Sequence, residues 1–232
     1  MLFRKFMTAI FAIAGQAQEK QFSIIPEPAE ITVAGEGTVQ IERGMLVRVS
    51  DSSLVASADF LADYTNRYLG IPLRVDVPKK GKKRTADKAV NGIVLVNRNN
   101  GEVSGGYRLE VIPGTGVRIE GNDAAGVFYG VQTLIQMLPV RAGVLPILAA
   151  AKVVDYPRFA YRGMHLDVVR HFFPVEFIKK YIDYLALHKL NYFHWHLTDD
   201  QAWRVEMKCR PELTAKGSVR EGEIEGLYPG KY

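Results

Sequence analysis

The chain has 232 residues, of which 47% are hydrophobic, and its side chains give a formal net charge of +5 at pH 7. This composition supports the core of one large domain or two small ones and excludes a disordered chain. The single cysteine, Cys209, excludes an internal disulfide bond, and nothing around it in the sequence indicates a catalytic thiol.

The first 17 residues have the three parts of a secretory signal peptide. Arg4 and Lys5 form the charged start, residues 6–14 the apolar run, and the triplet GQA at residues 15–17 a cleavage site. The apolar run is too short to cross a bilayer. The alternative is an N-terminal amphipathic or core helix. We therefore expect a secreted or periplasmic protein without a membrane partner once the signal is removed.

Five basic side chains lie in one short run, KKGKKR at residues 79–84. A nucleic-acid surface would add aromatic side chains for stacking or a recognition fold, and neither accompanies this run. We interpret the run as a solvated loop between strands and expect no nucleic-acid partner.

Residues 22–155 have the pattern of a compact α/β domain. Alternating apolar residues predict strands at residues 31–33, 46–49, 73–77 and 93–96, then a hairpin of residues 107–111 and 117–120 around the turn PGTG. Two helices with apolar stripes are predicted, one between caps at residues 51–53 and Gly70, and one at residues 124–138 behind Asn122 or Asp123. Residues 140–156 are expected to bridge to the next domain.

Residues 161–203 have the pattern of a β-α-β unit. Apolar and aromatic runs predict strands at residues 164–169 and 191–197, and residues 174–187 have helical spacing. We expect Phe177, Tyr181, Leu185 and His188 to form the helix stripe that lies on the sheet. The crossover makes the two strands parallel, and chemistry in parallel α/β folds gathers at the carboxyl ends of strands. The polar residues predicted at those ends are Asp167, Arg170, His171, His196, Asp199, Asp200 and Gln201.

Two segments of the chain also resemble a known family. RGMHLDVVRHFFP, a helix and then LNYFHWHLTDDQAWRVEMK resemble the opening of the catalytic barrel in family 20 glycoside hydrolases, the β-N-acetylhexosaminidases. GNDAAGVFYGVQTLIQML resembles the end of the small domain that precedes that barrel. The resemblance implies an α/β fold: a small α+β sandwich domain at residues 22–155, then an incomplete TIM (β/α)8 barrel at residues 158–232. A complete barrel takes about 250 residues.

The resemblance implies removal of terminal β-linked N-acetylglucosamine or N-acetylgalactosamine from glycans. In this family the 2-acetamido group of the sugar attacks its own anomeric carbon, with retention of configuration and without a cofactor or metal. A catalytic Asp-Glu pair follows a Gly-rich strand late in the barrel, and no segment here matches it. We therefore expect the pair beyond Tyr232, no catalytic residue within the chain, and no activity of this chain by itself.

The residues that match the family are expected to bind the substrate rather than to catalyse its hydrolysis. The resemblance implies that Arg162 holds hydroxyls of the terminal sugar, as a fork of several donors can. It implies that Asp199 anchors a histidine, itself expected beyond Tyr232, in a relay toward the catalytic acid, and that His196 is an active-site histidine. The alternatives are that Arg162 forms a structural ion pair with Asp167, that Asp199 caps a loop and that His194 is a hydrogen-bonded core residue.

Two other functions remain open from the sequence. His194 and His196, two residues apart, project from one strand face and could ligate zinc in a metal-dependent barrel hydrolase. A non-catalytic carbohydrate-binding protein is the other alternative. Stoichiometric zinc in the purified protein would favour the first, and binding of N-acetylglucosamine by this chain alone would favour the second.

Overall fold

The computed structural model describes residues 22–78, 91–140, 142–219, 224–225 and 228–229. The predicted signal peptide at residues 1–17 and the basic run at residues 79–84 lie outside the described residues. Within the described ranges, no helix combines the length and the apolar character needed to cross a membrane.

The elements follow one another as a mixed α/β chain. The strands are β1 (Glu30–Gln40), β2 (Leu46–Val49), β3 (Arg74–Asp76), β4 (Gly92–Asn97), β5 (Tyr107–Ile112), β6 (Gly116–Gly121), β7 (Ile147–Asp155), β8 (Gly163–Asp167), β9 (Tyr192–His196), β10 (Thr198–Asp199), β11 (Ala202–Trp203), β12 (Ile224–Glu225) and β13 (Tyr228–Pro229). The α-helices are α1 (Val55–Tyr64), α2 (Ala124–Met137), α3 (Val175–Leu187) and α4 (Pro211–Gly217).

Seven strands form one sheet in the order β1-β7-β5-β6-β4-β2-β3. Strands β3, β2, β4 and β6 are parallel, whereas β5, β7 and β1 add antiparallel pairs. The predicted hairpin is β5 and β6, joined by the PGTG turn. Helices α1 and α2 contact each other and the sheet, so they share a face of it. The core between them includes Leu54, Leu61, Leu134 and Ile119, all with no exposed surface.

The capping residues that the sequence indicates are found at both helices, although a 3-10 turn, Ser52–Leu54, precedes α1 and α2 ends one residue before the predicted end. Before α1, the Asp51 carboxylate accepts the N–H of Ser53 at 2.9 Å. A π-helical turn, Thr65–Leu69, extends α1 to Gly70, whose φ of 71° is left-handed and suits glycine. Asp123 caps α2 by accepting the N–H of Gly126 at 2.8 Å.

The prediction that residues 140–156 form a bridge is wrong, because β7 lies inside the sheet between β1 and β5. The segment ILAAAKVVD lacks a clear alternation of polar and apolar residues, so its sequence carries no local signal of a strand. Strand β1 is also longer than predicted. The strand continues through its glycines, and its register against β7 shifts between Val33 and Thr38.

The second part of the chain contains the predicted parallel β-α-β unit, β8-α3-β9. In its register His165 pairs with His194 and Asp167 with His196, so these four side chains share one face. The alternate residues Met164, Leu166, Phe193 and Trp195 share the other face, where the ring of Tyr181 on α3 lies 5.5 Å from that of Phe193. The predicted α/β fold class is confirmed. The chain forms a small domain of sheet and helices, which is followed by the first strands of a barrel.

The predicted stripe of α3 is only partly right. Leu185 is buried as expected, but the other buried residue is Ile178, and Phe177 is 40% exposed. Phe177 stacks instead between Phe173 and Tyr181 beside the strand pair. Because the sequence allows two neighbouring stripes on this helix, spacing alone does not choose between them.

Candidate functional site

Four charged or titratable side chains meet at the carboxyl end of β8 and β9: Asp167, Arg170, His196 and Asp199, here called the rim cluster. Nη1 of Arg170 lies 2.7 Å from Oδ2 of Asp199 and 3.0 Å from Oδ2 of Asp167. Nε2 of His196 lies 3.0 Å from the same Oδ2 of Asp199. The parallel register that pairs Asp167 with His196 brings these groups together. The expectation that polar groups gather at these strand ends is confirmed for these four of the seven predicted residues.

Nε2 of His196 lies between a donor and an acceptor. Nη1 of Arg170 donates to Oδ2 of Asp167 at 3.0 Å and lies 3.0 Å from Nε2 of His196, and that Nε2 lies 3.0 Å from Oδ2 of Asp199. Because an arginine only donates and a carboxylate only accepts, Nε2 accepts from Arg170 in one tautomer of His196 and donates to Asp199 in the other. In the neutral ring that donates to Asp199, Nδ1 keeps its lone pair.

Both carboxyl groups of the rim cluster are held in the ionised form. Burial raises the pKa of Asp167, but the backbone N–H groups of Arg170 and Val169 and the charge of Arg170 outweigh it, so this pKa lies below its usual value. For Asp199 the backbone N–H of Asp200 is the main cause, and His196 and Arg170 lower its pKa further. A group ionised at neutral pH accepts hydrogen bonds and is unsuited to be the general acid.

Arg162 lies at the other end of β8, five residues and about 16 Å from Asp167 by strand rise. Its Nε donates to the carbonyl of Lys189 at 2.9 Å and its Nη1 to that of Phe159 at 2.8 Å. Its Nη2 donates to the hydroxyl of Tyr129 on α2 at 2.9 Å. The alternative of an ion pair with Asp167 is wrong, because Arg170 occupies that carboxylate. The role in sugar binding stays a prediction.

A buried polar network that the sequence did not predict joins the two domains beside Arg162. Nζ of Lys189, directly after α3, lies 2.9 Å from Oδ2 of Asp155 and 2.8 Å from the hydroxyl of Tyr107. That hydroxyl lies 2.6 Å from Oγ1 of Thr133. Burial and the charge of Asp155 raise the pKa of Tyr107 far above its usual value, whereas burial lowers the pKa of Lys189 against the opposing effect of Asp155.

Three histidines lie together on the face of β8 and β9 that α3 leaves uncovered. One ring nitrogen from each of His165, His194 and His196 lies within 4.8 Å of the other two. The predicted pair His194 and His196 is therefore on one face, as expected. His165 was missed, although the predicted parallel pairing of its strand with that of His194 was a signal for it.

The fold and the rim cluster are those of a two-domain protein. Its second domain begins with the parallel strands of an α/β barrel. The family model for "Glycosyl hydrolase family 20, domain 2" matches residues 21–156, and that for the catalytic domain of the same family matches residues 159–231. The chain belongs to glycosyl hydrolase family 20.

Similar proteins cover almost all of this chain. A β-hexosaminidase of Porphyromonas gingivalis is 37% identical over 220 residues, which are 92% of this chain and 27% of the relative. A β-N-acetylhexosaminidase of Cellulomonas fimi is 36% identical over 211 residues, 89% of this chain and 41% of the relative. The chain thus spans well under half the length of these relatives.

Solved structures agree with these matches. The N-acetyl-β-hexosaminidase of Streptomyces plicatus is 36% identical, with a TM-score of 0.73 over 92% of this chain and 41% of the solved one. A mutant of the S. plicatus β-hexosaminidase, in complex with the product GlcNAc, has a TM-score of 0.72 at 37% identity, over 90% of this chain and 40% of its own.

Proposed function

We propose that the whole protein is a glycoside hydrolase that removes terminal β-linked N-acetylglucosamine or N-acetylgalactosamine from glycans, by substrate-assisted hydrolysis with retention. Its partners are glycans that end in an N-acetylhexosamine. Family membership supports this function, as do relatives named β-hexosaminidases and one that holds GlcNAc as a product. In this proposal the chain supplies the N-terminal domain and the first strands of the barrel.

The observation that carries the proposal is the geometry of Asp199. Its carboxylate accepts the N–H of Asp200 at 2.8 Å, lies 3.0 Å from Nε2 of His196 and forms an ion pair with Nη1 of Arg170 at 2.7 Å. These three contacts fix its orientation, and the charge of Arg170 favours its ionised form. An anion held in this way can orient an adjacent histidine and stabilise that histidine when it is protonated, as a relay toward the acid requires.

Arg162 contributes a preorganised donor. Three acceptors hold its guanidinium group, which also lies 5.2 Å from the centre of the Tyr129 ring. Of its five N–H groups, three donate to these acceptors, and the other two have no acceptor in the described part of the chain. A fixed planar fork with two available donors suits neighbouring hydroxyls on a sugar ring, because little side-chain entropy is lost when it binds.

We also propose that the mature protein is secreted or periplasmic. The three-part pattern of residues 1–17 supports this location. N-terminal sequencing of the protein isolated from its native host tests it: a start near residue 18 is expected, and retention of residue 1 would contradict it.

The activity test compares two chromogenic substrates, a β-glycoside of N-acetylglucosamine and the matching β-glucoside, which lacks the acetamido group. We expect the whole protein to hydrolyse only the first, because the acetamido group is the nucleophile. The 232-residue chain alone is expected to hydrolyse neither. Turnover by this chain alone would place the acid among its own carboxylates and overturn the assignment.

A single substitution tests the role of Asp199 within the whole protein. Asp199→Asn keeps the shape of the side chain but removes its charge, and we expect kcat/KM to fall by about a hundredfold. Asp183→Asn, on an exposed part of α3, is the matched control and should leave kcat/KM unchanged. Equal activity of the two variants would remove Asp199 from the mechanism.

A further inference from the structure

The three histidines on the uncovered face of β8 and β9 form a candidate ligand set, of which only His196 has a role in the proposed hexosaminidase site. The rings of His165 and His194 contact each other edge-on, with centroids 4.6 Å apart, and His196 lies 5.8 Å from His165. In the described part of the chain, the nitrogens of His165 and His194 make no hydrogen bond. Two imidazoles with available lone pairs are thus held next to a third.

The distances among these nitrogens suit a single ion after small side-chain rotations. A zinc ion binds histidine nitrogen at about 2.0–2.1 Å in tetrahedral geometry, so two bound nitrogens lie about 3.4 Å apart. The three nitrogens already lie within 4.8 Å of one another. In this chain His165 and His194 are both exposed. Two adjacent strands fix the backbone of all three ligands.

The rim cluster prepares the third ligand. Nε2 of His196 lies 3.0 Å from Oδ2 of Asp199, and in the tautomer in which Nε2–H donates to that carboxylate, Nδ1 is the nitrogen with a lone pair. A carboxylate that receives the second N–H of a ligating histidine is the usual support of a metal site, because it fixes the ring and increases its basicity. Two carboxylates, Asp167 and Asp199, surround one guanidinium group, Arg170, so the rim cluster has a net charge of −1 that favours a cation.

We propose that His165, His194 and His196 bind a divalent transition-metal ion of the zinc type through three imidazole nitrogens. Imidazole ligands select zinc, copper, nickel or cobalt over magnesium and calcium. The proposal does not depend on hexosaminidase activity, since it concerns binding alone. An occupied site would fix His196 beside Asp199.

The test is calorimetric titration of the full-length protein with zinc chloride, after bound metal has been removed with a chelator and the chelator dialysed away. We expect saturable binding of one ion per chain. His165→Gln should weaken the affinity by about tenfold or more, since even supporting groups of metal sites have effects of that size. His165 belongs to neither the rim cluster nor the proposed sugar contacts, so its loss leaves them intact.

His188→Gln is the matched control. That ring lies at the far end of α3, with Nδ1 3.3 Å from the carbonyl of Ile25, and the variant should bind zinc as the wild type does. Cobalt offers a second readout, because a four-coordinate site gives intense visible absorption that should disappear in His165→Gln and in His194→Gln. Lack of saturable binding by the wild type, unchanged affinity in His165→Gln, or an equal loss in His188→Gln would overturn the proposal.

Discussion

Arg162 lies where the two domains meet and is held by groups from both. Its acceptors are two carbonyls of the second domain and the hydroxyl of Tyr129, which belongs to the first. The first domain therefore helps to set the orientation of the guanidinium group. If Arg162 binds sugar hydroxyls, Tyr129 is a positioning residue for the substrate although it lies outside the barrel.

Substitution of Tyr129 tests this link in the whole protein. Tyr129→Phe removes one acceptor and keeps the ring under the guanidinium group, so we expect KM to rise about fivefold, the effect of one hydrogen bond, with little change in kcat. Tyr68→Phe, whose ring is 52% exposed, is the control and should change neither constant. A fall in kcat with unchanged KM would show that Tyr129 acts on the chemical step instead.

For individual residues, the sequence predicted which polar side chains lie together but not all of their partners. The β-α-β pattern was enough to bring Asp167, His196 and Asp199 to one rim. It did not show that one Nη1 of Arg170 would join both carboxylates, since that depends on the path of the loop after β8. The Lys189 network also escaped prediction, because a lysine after a helix is ordinarily solvated and only tertiary packing buries this one.

Among the elements, α2 connects the sheet with the second domain. It packs on β5 and β6 and also contacts α3. Its N-cap, Asp123, binds more than its own helix: the carboxylate also receives the N–H of Gly105 at 3.1 Å and the hydroxyl of Ser104 at 2.6 Å. Asp123 thereby ties the loop before β5 to the start of the helix.

Removal of this cap should destabilise the protein. Asp123→Ala is expected to lower the free energy of unfolding by about 1–2 kcal/mol at pH 7, measured by urea denaturation. Burial raises the pKa of Asp123, but Ser104 and the N–H groups of Gly126 and Gly105 outweigh it, so this pKa lies below its usual value of 3.8. The stabilisation is thus present above that value and lost as the pH falls through the folded pKa.

The control for the cap is Asp59→Ala, in the exposed part of α1, which should cost less than about 0.5 kcal/mol. The difference between Asp123→Ala and wild type should shrink from pH 7 to pH 3. A difference that does not change with pH would show that packing rather than the charged cap is responsible.

The elements with a strong local signal were the ones that the sequence predicted. Caps marked α1 and α2, a glycine turn marked the β5–β6 hairpin, and apolar runs marked β8 and β9. Strand β7 was missed because its place is decided by long-range pairing with β1 and β5, which no local pattern records. The bulge in β1 is likewise set by its partner, since the shift appears only against β7.

For the molecule as a whole, the network of Lys189 is the main polar link between the N-terminal domain and the start of the barrel that we identify in the described residues. Side chains of Lys189 and Asp155 are only 6% and 12% exposed, and they pair at 2.9 Å. A buried pair of this kind adds little net stability compared with apolar residues, yet loss of one partner leaves the other charge buried alone. The network therefore penalises any arrangement of the two domains that separates them.

Lys189→Met tests this coupling, because methionine keeps the length of the side chain and removes its charge. We expect a loss of about 3–5 kcal/mol in the free energy of unfolding, since Asp155 is left buried without its partner. The double variant with Asp155→Asn should recover part of this loss, with a coupling energy of at least about 1 kcal/mol in a double-mutant cycle. Strict additivity in urea denaturation would contradict a direct link and assign the loss to packing around Lys189 alone.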